Sequence, residues 1–159
     1  MTERRIVQRG LYFEEFDETA VYVHSPGRTV TEADNVVFST LTMNSQSLHL
    51  DAEWAKGTEF GERLINSMFT LSTLVGTSVA QLTQGTIVAN LGFSDVSFPH
   101  PLRAGDTMYS ETRVLSKRLS KSRVGQGIVE FEHSARNQRG EVVAVAKRST
   151  LMLCLPTEN

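Results

Sequence analysis

LINSMFTLSTLVGTSVAQLTQ, residues 64–84, carries no charged side chain, and its reading decides the fold. Leu64, Met68, Leu71, Val75, Val79 and Leu82 recur at spacings of 4, 3, 4, 4 and 3, the period of a helix with one apolar stripe. Ile65, Phe69 and Leu74 widen that surface, so the spacing predicts a helix covered on most sides and ended by Gly85. Asn66, Ser67, Thr70, Thr77, Ser78 and Gln81 are among polar groups too numerous for hydrocarbon. The stretch is therefore expected to be buried inside a domain rather than in a membrane.

Beyond Gly85 the period changes to two. Residues 86–98 read as a strand and residues 99–106, PHPLRAGD, as a connection. Residues 107–117 alternate loosely, whereas 127–136 place Val129, Phe131, His133 and Ala135 on one face. Asn137-Gln138-Arg139-Gly140 forms a hairpin turn into a last strand over 141–155. Upstream, residues 19–30 read as a strand interrupted by Pro26-Gly27. Thr31 then opens a helix, with Asp34 completing a T-x-x-D capping pattern. Its apolar face is expected to be Ala33, Val36, Val37, Thr40 and Leu41. A polar run over 42–47 follows, and Asp51 caps a short helix over 52–56 that Gly57 stops. A strand, helices, one long uncharged helix and an antiparallel meander predict an α+β domain, a single sheet wrapped around one buried helix. Residues 1–12 read as a loose leader and residues 13–155 as the domain.

At 159 residues the chain has room for one core. Lys and Arg number 16 against 18 Asp and Glu, which gives a formal charge of −2 and no basic surplus for nucleic acid. The charged N-terminus, MTERRIVQRGLYFEEF, lacks the apolar core of a signal peptide, and Cys154 has no second cysteine to pair with. A cytoplasmic protein with no membrane partner is the expectation. No Cys/His spacing suggests a metal site; His24, His100 and His133 stand apart, and His133 is expected to pack on the sheet.

GRTVTEADNVVFSTLTMNSQSLHLD (27–51), PLRAGDTM (101–108) and RLSKSRVGQGIVEFEHSARNQRGEVV (118–143) resemble the MaoC-like (R)-specific acyl-CoA hydratase/dehydratase family over residues 13–153. TLTMNSQSLHLD (40–51) and FGERLINSMFTLSTLVG (60–76) are most similar to its mesaconyl-CoA and itaconyl-CoA hydratase branch. The resemblance implies a hotdog fold, a homodimer or larger assembly built from dimers, and an acyl-CoA substrate with no other cofactor. It implies water added to or removed from an α,β-unsaturated thioester, here a branched dicarboxylate-derived one such as mesaconyl- or itaconyl-CoA.

The family's catalytic loop reads D-x-N-P-[IL]-H. His49 matches its histidine, while Asn44 stands at the aspartate, Gln46 at the asparagine and Ser47 at the proline. Ser67 falls where many members carry the glycine whose amide binds the thioester oxygen. Hydration needs a base for water, an acid for the α-carbon and a donor for the enolate oxygen. An imidazole suits the first two, and an N–H at a helix N-terminus suits the third. An asparagine orients water but does not exchange protons at neutral pH. A carboxylate-bearing substrate would meet less repulsion from Asn44 than from an aspartate.

Competing readings stay open at this level. Asp51 is a helix cap or a substitute carboxylate. Lys121, Ser122 and Arg123, beside Lys117 and Arg118, form either a solvated turn or a contact for CoA phosphates. Gly125-Gln126-Gly127 is a weak phosphate-loop signal and reads as strand or turn punctuation. The alternatives to a hydratase are a hotdog thioesterase and a catalytically silent acyl-CoA-binding dimer.

Overall fold

The antiparallel strands β1 (Val21–Thr29), β2 (Ile87–Ser97), β3 (Thr107–Leu119), β4 (Gln126–Arg136) and β5 (Val142–Leu153) form one sheet in the order β1-β3-β4-β5-β2. The computed structural model describes residues 3–157. Hairpins join β3 to β4 and β4 to β5, whereas β2 sits at the far edge beside β5. Four helices follow β1 or precede β2: α1 (Glu32–Leu41), α2 (Ser47–Leu50), α3 (Ala52–Lys56) and α4 (Ser67–Leu82). Helix α4 packs on β1, β3, β4 and β5. This α+β arrangement, a sheet wrapped on one helix, is the hotdog fold. Among the described residues no helix is long and apolar enough to cross a membrane.

The core divides along α4. Leu74 packs with Ile65, Leu102, Met108, Ala135 and Val143 near one end of the sheet, and Leu82 with Phe13, Phe16, Val114, Phe131 and Met152 near the other. The face that α4 buries matches the expected one only in part, at Leu82. Thr70, Leu74, Ser78 and Leu82 form the fully buried row, while Met68 of the expected stripe is 47% exposed. Small polar side chains let the helix approach the sheet closely, and they satisfy themselves locally: Ser78 Oγ donates to the Val75 carbonyl at 2.7 Å. Ser72, Gly76 and Ala80, spaced by fours with Met68, lie open to solvent, so the helix is not covered on most sides.

Helix α1 departs further. Thr31 and Asp34 close the capping box as expected, with the Asp34 amide donating to Thr31 Oγ1 and the Thr31 amide to Asp34 Oδ2. The residues it buries, however, are Asn35 and Ser39, whereas Val37 and Leu41 are 63% and 79% exposed. Periodicity located the helix but chose the wrong face, because Asn35 and Ser39 have hydrogen-bond partners inside.

Residues 3–12 carry no regular element, yet the Gly10 and Leu11 amides donate to the carbonyls of Gln84 and Leu82 at 2.7 and 3.0 Å. A Cβ on Gly10 would lie 2.6 Å from the Leu82 carbonyl oxygen, so only glycine permits this approach. Gly127 is likewise more than punctuation: it lies inside β4, and a side chain there would strike the Phe13 ring at 2.2 Å.

Candidate active site

Asn35 is where the site begins. Its Nδ2 donates to the carbonyls of His49 and Leu64, both at 3.0 Å, and its Oδ1 accepts the Asn66 amide at 2.8 Å. One buried amide thus ties α1 to α2 and to the residues that lead into α4. Asn66 adds a second tie, with Nδ2 donating to Ser39 Oγ at 3.2 Å while its Oδ1 caps α4 through the Met68 amide. Sequence reasoning passed over Asn35.

The polar run expected over 42–47 ends in α2, a single helical turn that carries His49. His49 Nδ1 lies 2.9 Å from the Leu64 carbonyl, which can only accept, so Nδ1 holds the ring proton. In the neutral ring Nε2 is then a free lone pair, the form a general base needs. The Leu64 amide also donates to the Leu48 carbonyl at 3.1 Å, so the turn and the approach to α4 are fastened from both sides.

Ser67 is the first residue of α4, after the Asn66 cap, and its N–H has no acceptor among the described residues. First-turn amides have no partner inside the helix and point along its positive end, which suits an anionic oxygen. His49 and Ser67 open onto one cleft of about 420 Å³, walled by apolar side chains that include Leu48, Phe60, Ile65 and Val143. The two residues therefore line a common space.

The other predicted positions lie outside that lining. Asn44 Oδ1 accepts the Gln46 amide at 3.1 Å, an Asx turn that shapes its own loop, and the Gln46 side chain is exposed and caps nothing. Asp51 Oδ1 caps α3 through the Trp54 amide at 2.9 Å. Lys121, Ser122 and Arg123 occupy the β3–β4 turn, at the end of β3 opposite the Leu102–Asp106 connection, and within one chain they are not brought to the cleft. His133 is buried on the sheet and 1% exposed, as expected.

The connection between β2 and β3 forms the remaining wall. The Ile65 amide donates to the Leu102 carbonyl at 2.9 Å, and the Arg103 amide to Asp106 Oδ2 at 3.1 Å. Burial would raise the Asp106 carboxyl, but Arg139 and Gln138 donate to it, outweigh that effect and hold it below the usual carboxylate range. His100 on this connection also lines the cleft. Sequence reading saw it only as a histidine without metal spacing. Its flanking prolines were the missed signal of a stiff loop presenting a side chain.

Comparison with known proteins agrees with this geometry. The family described as MaoC like domain matches residues 16–137. A mesaconyl-CoA hydratase of Haloarcula marismortui is 28% identical over 92% of the chain, which spans 40% of that relative. The solved structure of a monoamine oxidase regulatory protein from Archaeoglobus fulgius is 32% identical with a TM-score of 0.83, over 95% of this chain and 100% of that one. A MaoC-like dehydratase structure from Rhodospirillum rubrum is 27% identical with a TM-score of 0.81, over 93% and 100%. The chain belongs to the MaoC like domain family.

Proposed function

We propose that the protein adds or removes water at the double bond of an α,β-unsaturated acyl-CoA, with a branched dicarboxylate-derived acyl group such as mesaconyl or itaconyl as the preferred substrate. The observation that carries the reading is the tautomer-fixed His49 sharing a cleft with the first amide of α4. In the hydration direction His49 Nε2 takes a proton from water as its oxygen bonds to the β-carbon. The displaced π electrons place negative charge on the thioester oxygen, which the Ser67 N–H meets. The imidazolium then returns a proton to the α-carbon and the carbonyl reforms. No electrons enter or leave, so CoA serves only as part of the substrate.

The similarity to the mesaconyl-CoA hydratase and the amide at Asn44 support the dicarboxylate preference. Asn44 acts on this reading by shaping the loop and by adding no negative charge beside a substrate carboxylate. Relatives of more than twice this length support a second copy as the partner, since the chain spans 40% of the Haloarcula protein. The exposed apolar side chains of edge strand β2, Val88, Leu91, Phe93 and Val96, offer the joint. A cytoplasmic setting completes the reading and suits the unpaired thiol of Cys154.

The test is direct. Mesaconyl-, itaconyl- and crotonyl-CoA are each incubated with the protein and with its His49→Gln variant. Enoyl absorbance should fall fastest for the branched diacid thioesters, and the variant should be slower by roughly 10²- to 10⁴-fold, the usual contribution of an acid/base group. Asn44→Asp should shift relative rates toward crotonyl-CoA. Release of free thiol would identify a thioesterase instead. Thermal stabilisation by CoA without turnover of any thioester would identify a binding protein.

A further inference from the structure

We infer that His100 is the residue that recognises the substrate's own carboxylate, and so sets the preference for diacid-derived acyl groups over simple enoyl groups. The inference rests on the hydratase reading above and names the residue responsible for its selectivity.

Two side chains in the cleft lining are titratable, His49 and His100. They are held in the same manner. His100 Nδ1 lies 3.1 Å from the Val142 carbonyl, and the His100 backbone amide donates to that same oxygen at 3.1 Å. Since the carbonyl only accepts, Nδ1 carries a proton, and Nε2 has no hydrogen-bond partner among the described residues. Pro99 and Pro101 fix the backbone on either side, so the ring is presented on a loop with little freedom.

Within the cleft lining His100 is the group a substrate carboxylate would meet without displacing an existing partner. The rest of the cleft wall is largely apolar, with Phe60, Leu64, Phe98 and Leu102, and offers a carboxylate no other cationic partner. A second depression of about 480 Å³ adjoins the cleft at His100 and Pro101 and holds Arg103, Arg139 and Glu141. Both arginines are already engaged: Arg103 by Glu62, Arg139 by Asp106 and Glu141. The Glu141 carboxyl is itself held low by Asn137 and Arg139. Apart from His49, His100 is the only titratable side chain lining the cleft, and as an imidazolium against a bound carboxylate it would donate a charge-assisted hydrogen bond through Nε2. His49 performs the proton transfers through water, which leaves His100 for recognition.

The experiment compares kcat/KM for mesaconyl-CoA and crotonyl-CoA in the wild type, His100→Gln and His100→Lys. Gln keeps a similar reach without charge, and Lys restores a cation. The ratio of mesaconyl to crotonyl efficiency should fall about tenfold or more in His100→Gln, through KM for mesaconyl-CoA, and should recover in His100→Lys. An unchanged ratio in His100→Gln overturns the inference. So does an equal loss of kcat on both thioesters with one limb of the pH profile gone, which would make His100 an acid or base. Equal loss in both variants would mark a structural role and also overturn it. The wild type tests the parent reading separately: no hydration of any thioester removes the hydratase itself, and faster hydration of crotonyl-CoA removes the diacid preference together with this role for His100.

Discussion

Asn35 uses both ends of its amide on backbone groups: the carbonyls of His49 and Leu64 and the amide of Asn66. The residue is 2% exposed, and its removal leaves the His49 carbonyl and the Asn66 amide without partners while the Leu64 carbonyl keeps only His49 Nδ1. Each such group costs roughly 1–3 kcal/mol, although relaxation and entering water would offset part of the sum. Asn35→Ala should therefore lower stability by about 3 kcal/mol and, in protein still folded at the assay temperature, reduce kcat. Thermal melting and steady-state kinetics measure the two effects; a lower melting temperature with unchanged kcat would confine Asn35 to a structural role. His49 was legible in the sequence because the residues on both sides of it matched a known loop. Asn35 was not, because its importance lies in which backbone groups converge on it, and those come from two segments distant from it in the sequence. Ser67 was legible only as a position, since the role proposed for it rests on a backbone amide that any side chain supplies.

At the level of elements, periodicity found every strand and the three longer helices, while facing was harder. Helix α1 shows Val37 and Leu41 to solvent and buries Asn35 and Ser39, an inversion that a hydrophobic count cannot detect. Strand β2 broke its alternation too, and the reason is visible in its register. Irregularities fall between Ile87 and Ala89, Asn90 and Gly92, and Ser94 and Ser97, so the period of two is reset along the strand. Leu91, 51% exposed, and Phe93, 41% exposed, are left on an edge with no neighbour in the chain. Edge strands that stay monomeric are usually blunted by charge or proline, and β2 carries Asp95 as its single charge. The expected assembly is a dimer closed through this edge. Sedimentation should give twice the 17.7 kDa chain mass for the wild type and the chain mass for Leu91→Lys, which places like charges together across a twofold joint. A wild-type monomer would remove this joint.

Taken whole, the molecule buries ionisable groups far from the cleft, and these govern its response to acid. Gln81 Oε1 accepts from His24 Nδ1 at 2.8 Å, which leaves His24 Nε2 to accept the Thr112 hydroxyl proton at 2.7 Å. The same hydroxyl oxygen then accepts from His133 Nδ1 at 2.7 Å. Read in this direction, the chain satisfies each link with both imidazoles neutral. Burial pushes His133 down to about 3, with the Arg148 guanidinium and His24 opposing its charge further, and burial lowers His24 as well. The unfolded chain takes up a proton near the ordinary histidine value of about 6.5, whereas folded His133 takes it only near 3. Between these values the unfolded state binds more protons, so stability is full above pH 6.5 and falls as the pH drops toward 3. The slope for one such group approaches 1.4 kcal/mol per pH unit, or about 2 kcal/mol between pH 6.5 and 5. Asp106 and the other stabilised carboxylates act in the same direction but titrate lower, so a comparison of pH 7 with pH 5 isolates the histidines. Urea unfolding at those two values and one fixed protein concentration should show the loss in the wild type. His133→Gln, which keeps a donor for Thr112 without a titrating ring, should lose about 2 kcal/mol less over the same interval. An equal loss in both proteins would mean that His133 is already protonated, or already open to water, in the folded state.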